Sequence, residues 1–416
     1  MPISVTMDAA IDALKAAVPE GGRVFIPGCA GEPLAFAAAL AMRPEAAAGL
    51  TFEGVWIPGV NRTDWAGLHY QAWAEVIFLA PEWRDSFAAG RLAFSPLTYT
   101  QVWRRLSERA FDAGVFTVAP PSADGRGSLG VAADFSPAVF ERTRFRIGLI
   151  HAGMPAVRDG PTVPLEAFDV MVEVDTPLPG YGAGTIDPVS AAIAARVAGL
   201  IPDNATVQTG LGKIGVATLA ALSDRRGLRV HSGMVTEPLI ELLDRDAVDA
   251  VTTGVALGSA ALYARVAAHP RVRFRPVGET HAISTLAAIP RFVAVNSAIE
   301  VDLFGQINAE WMDGRQVSGA GGLIDFLRGS WASGSGIPVV ALPASAKGDA
   351  LSRIVPRLPC PPSVGRGDPV VVVTEHGVAD LRGLSIDARA QALIAVASPA
   401  HRDRLADDWS AMRQAM

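Results

Sequence analysis

The sequence predicts an α/β protein made of two similar, open, mostly parallel α/β domains. Three observations carry this expectation. Short apolar strands alternate with helical stretches along the chain, the pattern of a parallel sheet covered by helices. A strand–glycine–helix opening occurs twice, in EGGRVFIPGCAGEPLAFAAAL (residues 20–40) and in PDNATVQTGLGKIGVATLAAL (residues 202–222). Between the halves lies TPLPGYGAGT, residues 176–185, with the Pro and Gly content of a linker. The expected division is 1–185 and 186–416.

In the first half, strands are expected at Arg23–Ile26, Leu50–Ile57, Glu75–Leu79, Ala113–Val118, Phe145–Ile150 and Val170–Val174. Pro33 stands at the favoured first turn of a helix. Pro120-Pro121 and Asp124-Gly125 mark a long loop after one strand, a candidate wall for a ligand gathered at the carboxyl ends of the sheet. In the second half, strands are expected at Thr206–Gln208, Leu228–His231, Val248–Val255, Phe292–Asn296, Val339–Leu342 and Val370–Thr374, with helices between most of them. The stretch Phe292–Asp325 extends the fourth of these. Its alternation puts Asn296, Ala298, Glu300 and Asp302 on one strand face, Gly305 permits a turn, and Gln306–Ala309 returns as a second short strand.

Composition narrows the function. With 416 residues, half of them apolar, the chain can fill two cores. A net charge of −6 argues against a nucleic-acid groove, which needs a basic surface. Cys29 and Cys360 sit in no CxxC or metal-ligand spacing and read as free thiols in a reducing compartment, with no metal. The start, MPISVTMDAAIDALKAAV, reads as an amphipathic helix and not a signal peptide, and no apolar run is long enough to span a bilayer. A cytoplasmic protein is expected.

Two loops suit an anion. Gly210-Leu211-Gly212-Lys213-Ile214 lies between a strand and a helix, where glycines permit a tight turn and the helix start offers N–H donors; a diphosphate fits, and so does a plain βα turn. Ser318-Gly319-Ala320-Gly321-Gly322 is a second loop that lets backbone approach a ligand. Only three of the 36 basic residues are lysine, and two of them, Lys213 and Lys347, fall in or near such loops.

NSAIEVDLFGQIN followed by SGAGGLIDF resembles the signature of the acetyl-CoA hydrolase/transferase family of class I CoA-transferases. TEHGVADLRG (374–383), the Lys347 loop LPASAKGDALSRIVP and PPSADGRGSLG also resemble that family, so the likeness covers most of the chain, with the stronger part between Asp187 and Arg404. The resemblance implies two domains of the CoA-transferase type, coenzyme A as co-substrate with a small carboxylic acid or water as acceptor, no permanently bound cofactor, and a homodimer. It also implies that the Gly210, Gly212, Lys213 and Ile214 turn is the CoA-binding loop and that Lys347 contacts CoA, while Gly319, Gly321 and Gly322 are candidates for binding substrate or CoA through their backbone.

The family's nucleophile is a glutamate in a pattern like IHTEM. The matching stretch here is Val230-His231-Ser232-Gly233-Met234, which puts Gly233 at the nucleophile's position. Two family asparagines fall at His151 and His281. Imidazole is the usual general base near neutral pH, so His151, His231 and His281 are candidates, each set against an ordinary core or surface role. Glu237 is a candidate displaced nucleophile, with charge at a helix start as its plain role, and Glu300 is a candidate for orienting substrate. The expected function is acyl-CoA hydrolysis or non-glutamyl acyl transfer. The rivals are ping-pong CoA transfer through a displaced glutamate, a silent CoA-binding protein, and an enzyme turned to another substrate through its histidines.

Overall fold

A computed structural model describes residues 3–416. The chain folds as two compact units. The first comprises Met1–Gly182 with Gly233–Val235 and Thr252–Thr280; the second comprises Ala183–Ser232, Thr236–Val251 and His281–Met416. Two segments beyond residue 185 thus join the first unit. The bridge Ala132↔Val255 and the bond from Ala133 N–H to Gly254 C=O (3.1 Å) tie one of them in.

The sheet of the first unit has eight strands, in the spatial order Ile3–Ser4, Val170–Val174, Thr143–His151, Phe111–Val118, Arg23–Phe25, Thr51–Glu53, Trp73–Val76, Leu92–Phe94. Every neighbouring pair is parallel. Parallel pairing needs crossover helices, which leaves the central strands buried on both faces; seven of the eight residues in Phe111–Val118 are buried. Helix Tyr99–Glu108 shows how local sequence sets an element. Thr98 accepts from Gln101 N–H while the Gln101 side chain returns to Thr98 N–H, a capping box that satisfies two orphan donors.

In the second unit the parallel run is Leu228–Val235, Thr206–Thr209, Phe292–Ser297, Ile337–Ala341 and Val371–Thr374, with Gly377–Asp380 antiparallel at the edge. One apolar cluster gathers Val301, Leu303, Leu342 and Val372 with Leu393 and Trp409 of the last two helices, Ile386–Val396 and Arg402–Gln414. Thr206–Thr209 is buried throughout, as a central parallel strand should be.

One expected element differs. The strand beginning at Phe292 stops at Ser297 and does not run on through Asp302. Ala298 N–H still reaches Ala341 C=O at 3.2 Å, but Ile299 N–H turns to Asn308 C=O at 2.8 Å, so the backbone leaves one sheet for another. Glu300–Asp302 then pairs antiparallel with Ile307–Asn308 and parallel with Ile354–Val355. Asp302 is wholly buried rather than on an exposed polar face, because its carboxylate accepts the N–H groups of Phe304 (3.1 Å) and Gln306 (2.9 Å) and the Gln306 side chain (2.8 Å). The expected turn at Gly305 is present, with φ +84. No helix among the described residues is long and apolar enough to cross a membrane.

Candidate functional site

The Gly210–Gly212 turn joins strand Thr206–Thr209 to helix Lys213–Ala220. Gly212 has φ +103, open only to glycine at low cost, and a Cβ on Gly215 would stand 2.1 Å from Gly210 C=O. The turn therefore depends on glycine twice. Ile214 is buried beneath it, and Lys213 is the first residue of the helix. Its ammonium reaches the Asp187 carboxylate at 3.2 Å, with both side chains nearly half exposed. Lys347, at φ +54 in the loop after Ile337–Ala341, lies 3.6 Å from Asp313. Each of the two lysines thus faces a carboxylate of its own.

The glycine-rich loop 318–322 leads into helix Leu323–Ala332, with Gly321 at φ +54 and Gly319 buried. Gly322 lies against His281: a Cβ there would be 2.6 Å from Nε2. The His281 ring packs on Phe326 with centroids 4.4 Å apart, Phe326 meets Phe292, and Phe292 meets His231 edge-on at 6.2 Å. The structure therefore brings two of the three candidate histidines, His231 and His281, onto one aromatic cluster beside the glycine loop. Burial, helped by the nearby His231, pushes the His281 pKa down to about 3. Such an imidazole is neutral at pH 7 and a weak proton acceptor.

His151 belongs to the first unit, where its Nδ1 accepts Gly153 N–H at 3.0 Å and its Nε2 is 3.4 Å from the Thr176 hydroxyl. Burial lowers its pKa, and Asp175 draws it part of the way back. Glu237 is exposed at the start of helix Pro238–Asp244, beside a shallow depression that it shares with Glu241 and Asp244. Glu300 does not share a face with Asn296; it accepts from the Asn308 side chain at 3.0 Å, while Asn296 exchanges amide hydrogen bonds with Gln208. Among the described residues no group of three His, Cys, Asp or Glu is placed to hold a metal ion.

The first unit contains a buried polar cluster that sequence reasoning missed. Cys29 follows strand Arg23–Phe25 and has φ +53, a left-handed conformation costly for a residue with a side chain. Asn61 holds it there. The Asn61 Oδ1 accepts Cys29 N–H and Ile57 N–H, both at 2.9 Å, and its Nδ2 donates to Cys29 C=O (3.1 Å) and Glu32 Oε2 (2.9 Å). The Cys29 thiol donates to Asp134 Oδ2 at 3.7 Å, and Phe135 N–H donates to Oδ1 at 2.8 Å. Burial pushes the Asp134 carboxyl up to about 6, against the pull of these donors, and raises the Cys29 thiol and the Glu32 carboxyl too. Thr63 and Trp65 lie on Glu32 and, with Asn61, pull its pKa part of the way back down. The sequence signal was a cysteine between two glycines at a strand-to-helix junction, Gly28-Cys29-Ala30-Gly31.

Gly233 lies beside this cluster. It is buried in strand Leu228–Val235, and its carbonyl oxygen is 3.0 Å from where a Cβ on Gly254 would stand. The Asp134 Cβ is 3.5 Å from the same point.

The chain is similar to several known proteins. The family model for the acetyl-CoA hydrolase/transferase C-terminal domain matches residues 258–409. The 4-hydroxybutyrate coenzyme A transferase of Clostridium kluyveri is 28% identical over 400 residues, 93% of each chain. The butyryl-CoA:acetate CoA-transferase of Anaerostipes caccae is 31% identical over 340 residues, 76% of each. The crystal structure of RipA from Yersinia pestis superposes with a TM-score of 0.92 at 28% identity, covering 99% of this chain and 98% of that one.

Proposed function

Because the chain belongs to the acetyl-CoA hydrolase/CoA-transferase family, we propose that it cleaves an acyl-CoA thioester by hydrolysis, or by an acyl transfer that bypasses a glutamyl intermediate. One observation supports this reading above the others: Gly233, buried in its strand, offers no side chain where the family resemblance expects the attacking glutamate. Covalent catalysis divides a hard step in two, and without a nucleophile the remaining route is direct attack on the thioester by water or an acceptor. The Gly210–Gly212 turn and the 318–322 loop offer backbone N–H groups for the diphosphate and for the developing oxyanion. Lys213 and Lys347 would add charge to CoA phosphates by exchanging their present carboxylate partners. His281 stays neutral and orients; it does not take up a proton at pH 7. The setting proposed is cytoplasmic, with the protein a homodimer.

The test is a panel of acyl-CoAs, beginning with the acetyl, butyryl and 4-hydroxybutyryl thioesters suggested by the relatives' names, with and without small carboxylates. Free thiol should appear without an added carboxylate. Mass spectrometry should find no CoA adduct; an adduct on Glu237 or Glu300 would restore ping-pong transfer. CoA bound with no thioester lost would mean a silent binding protein, and no binding at all would mean another substrate.

A further inference from the structure

We propose that Asp134 is the proton acceptor that activates water in this chain, with Cys29 as the residue that positions its carboxylate. The inference rests on the thioester-cleavage reading above and assigns its base. Three independent features converge on Asp134. The Asp134 Cβ and the Gly233 carbonyl oxygen lie 3.5 Å and 3.0 Å from one point, the place a Cβ on Gly254 would take, so the Asp134 side chain starts near the backbone of the position where the family resemblance expects the glutamate. Its two oxygens are fixed from different sides, Oδ1 by Phe135 N–H at 2.8 Å and Oδ2 by the Cys29 thiol at 3.7 Å. The thiol is held in turn by strained backbone, at φ +53, that Asn61 clamps with three of its four hydrogen bonds to Cys29 and Ile57. Strain of this kind persists where the surroundings over-determine a geometry, and such places are often functional.

The charged groups facing Asp134 are few. Glu32 acts on Cys29 from the far side, and Arg275, whose backbone lies against Gly254, commits its guanidinium to Asp159 at 2.7 Å. Asp134 therefore has no cation to hold it permanently ionised, and burial leaves its proton affinity near the pH at which a base must cycle. Cys29 is not the nucleophile. Burial and the neighbouring Asp134 push its pKa up, so it remains a thiol.

In the step assigned, the oxygen of a water attacks the thioester carbonyl carbon and one water proton passes to Asp134. The tetrahedral intermediate collapses, the C–S bond breaks, and the proton moves from Asp134 to the departing CoA thiolate. The products are the free acid and CoA, and Asp134 is again ionised.

The experiment uses the full chain with the best acyl-CoA of the panel. Asp134→Asn keeps the shape and an acceptor for Phe135 N–H; kcat should fall about 100-fold or more with KM little changed and the thermal melt no lower than that of wild type. The wild-type kcat should show an acid limb at about 6. Cys29→Ala removes a donor to the ionised carboxylate and should move that limb upward, while Cys29→Ser should hold it in place; a merely structural thiol would leave the limb unmoved. A single turnover in ¹⁸O-water should label the product acid and leave Asp134 unlabelled. Label in Asp134 would make it a nucleophile and overturn the assignment. Turnover that survives Asp134→Asn sinks this inference alone, and a wild type that releases no thiol from any acyl-CoA sinks it together with the reading on which it rests.

Discussion

Each unit holds a buried titratable cluster, and the same force tunes the two in opposite directions. In the first unit burial drives the Asp134 acid up to about 6; in the second it drives the His281 base down to about 3. Burial always disfavours the charged form, so it raises an acid and lowers a base. The difference in outcome lies with the neighbours. Asp134 receives donors from Phe135 N–H and the Cys29 thiol, which limit its rise and leave it titrating near neutrality. His281 lies among Phe326, Gly322 and a second histidine, which take it further from neutrality. Identity alone would have favoured the histidine as base; environment favours the aspartate.

The largest test of this contrast is steric. A Cβ on Gly28 would stand 1.9 Å from Val55 C=O, a collision with backbone that cannot step aside. Gly28→Ala should cost about 4 kcal/mol or more and disorder the Cys29–Asn61 clamp, read as a lost low-denaturant baseline. Gly322→Ala meets side chains, the His281 ring at 2.6 Å and Phe326 at 3.4 Å, and should cost about 1–3 kcal/mol because side chains can shift. Equal costs would show that the two clusters are equally pliant.

The next test is acid. The folded pKa of His281, about 3, lies below the unfolded histidine value near 6.5, so the unfolded chain takes the proton first. Stability from this group is complete above about pH 6.5 and is lost as pH falls toward 3. His281→Gln, compared with its own stability at pH 7.5, should recover roughly 3 kcal/mol of the wild-type loss at pH 4. An unchanged acid slope in denaturant titrations would mean that His281 is not the buried base it is described to be.

Asp134 carries the opposite sign. Its folded pKa of about 6 exceeds the unfolded carboxylate value near 3.9, so the ionised group destabilises the protein above pH 6 and the penalty fades as pH falls toward 4. Asp134→Asn should therefore be more stable than wild type by about 2 kcal/mol at pH 7.5 and no more stable at pH 4. Stability gained where activity is lost is what a functional buried carboxylate should show. A uniform loss at every pH would point to a structural role instead.

The parallel sheets were legible because short apolar runs such as Val371–Thr374 alternate with helical stretches, and the turn at 210–212 because two glycines stand between a strand and a helix. The strand through Asp302 was misread because alternation cannot show that Ile299 changes hydrogen-bonding partner, nor that a carboxylate will be consumed by its own loop. The Cys29–Asp134 pair was hidden for a different reason: its members lie 105 residues apart, and neither belongs to a local pattern that spacing could reveal. Histidines drew attention as bases by type, while burial, which decides proton affinity, is set by the folded chain.

The smallest expected effect on stability separates binding from folding in the glycine turn. Lys213 and Asp187 are nearly half exposed, so solvent screens their attraction and the pair contributes no more than about 0.5 kcal/mol. Lys213→Met should leave the melt unchanged within that margin. If the ammonium instead serves CoA phosphate, the same substitution should weaken CoA binding roughly tenfold in calorimetry, with the loss shrinking as salt is raised. Asp187→Asn completes the argument. It frees the ammonium from its carboxylate while the Asn oxygen can still accept Ser190 N–H as a helix cap, and it should tighten CoA binding slightly. Tighter binding would show that the pair competes with the ligand, whereas weaker binding would make Asp187 the support that aims Lys213.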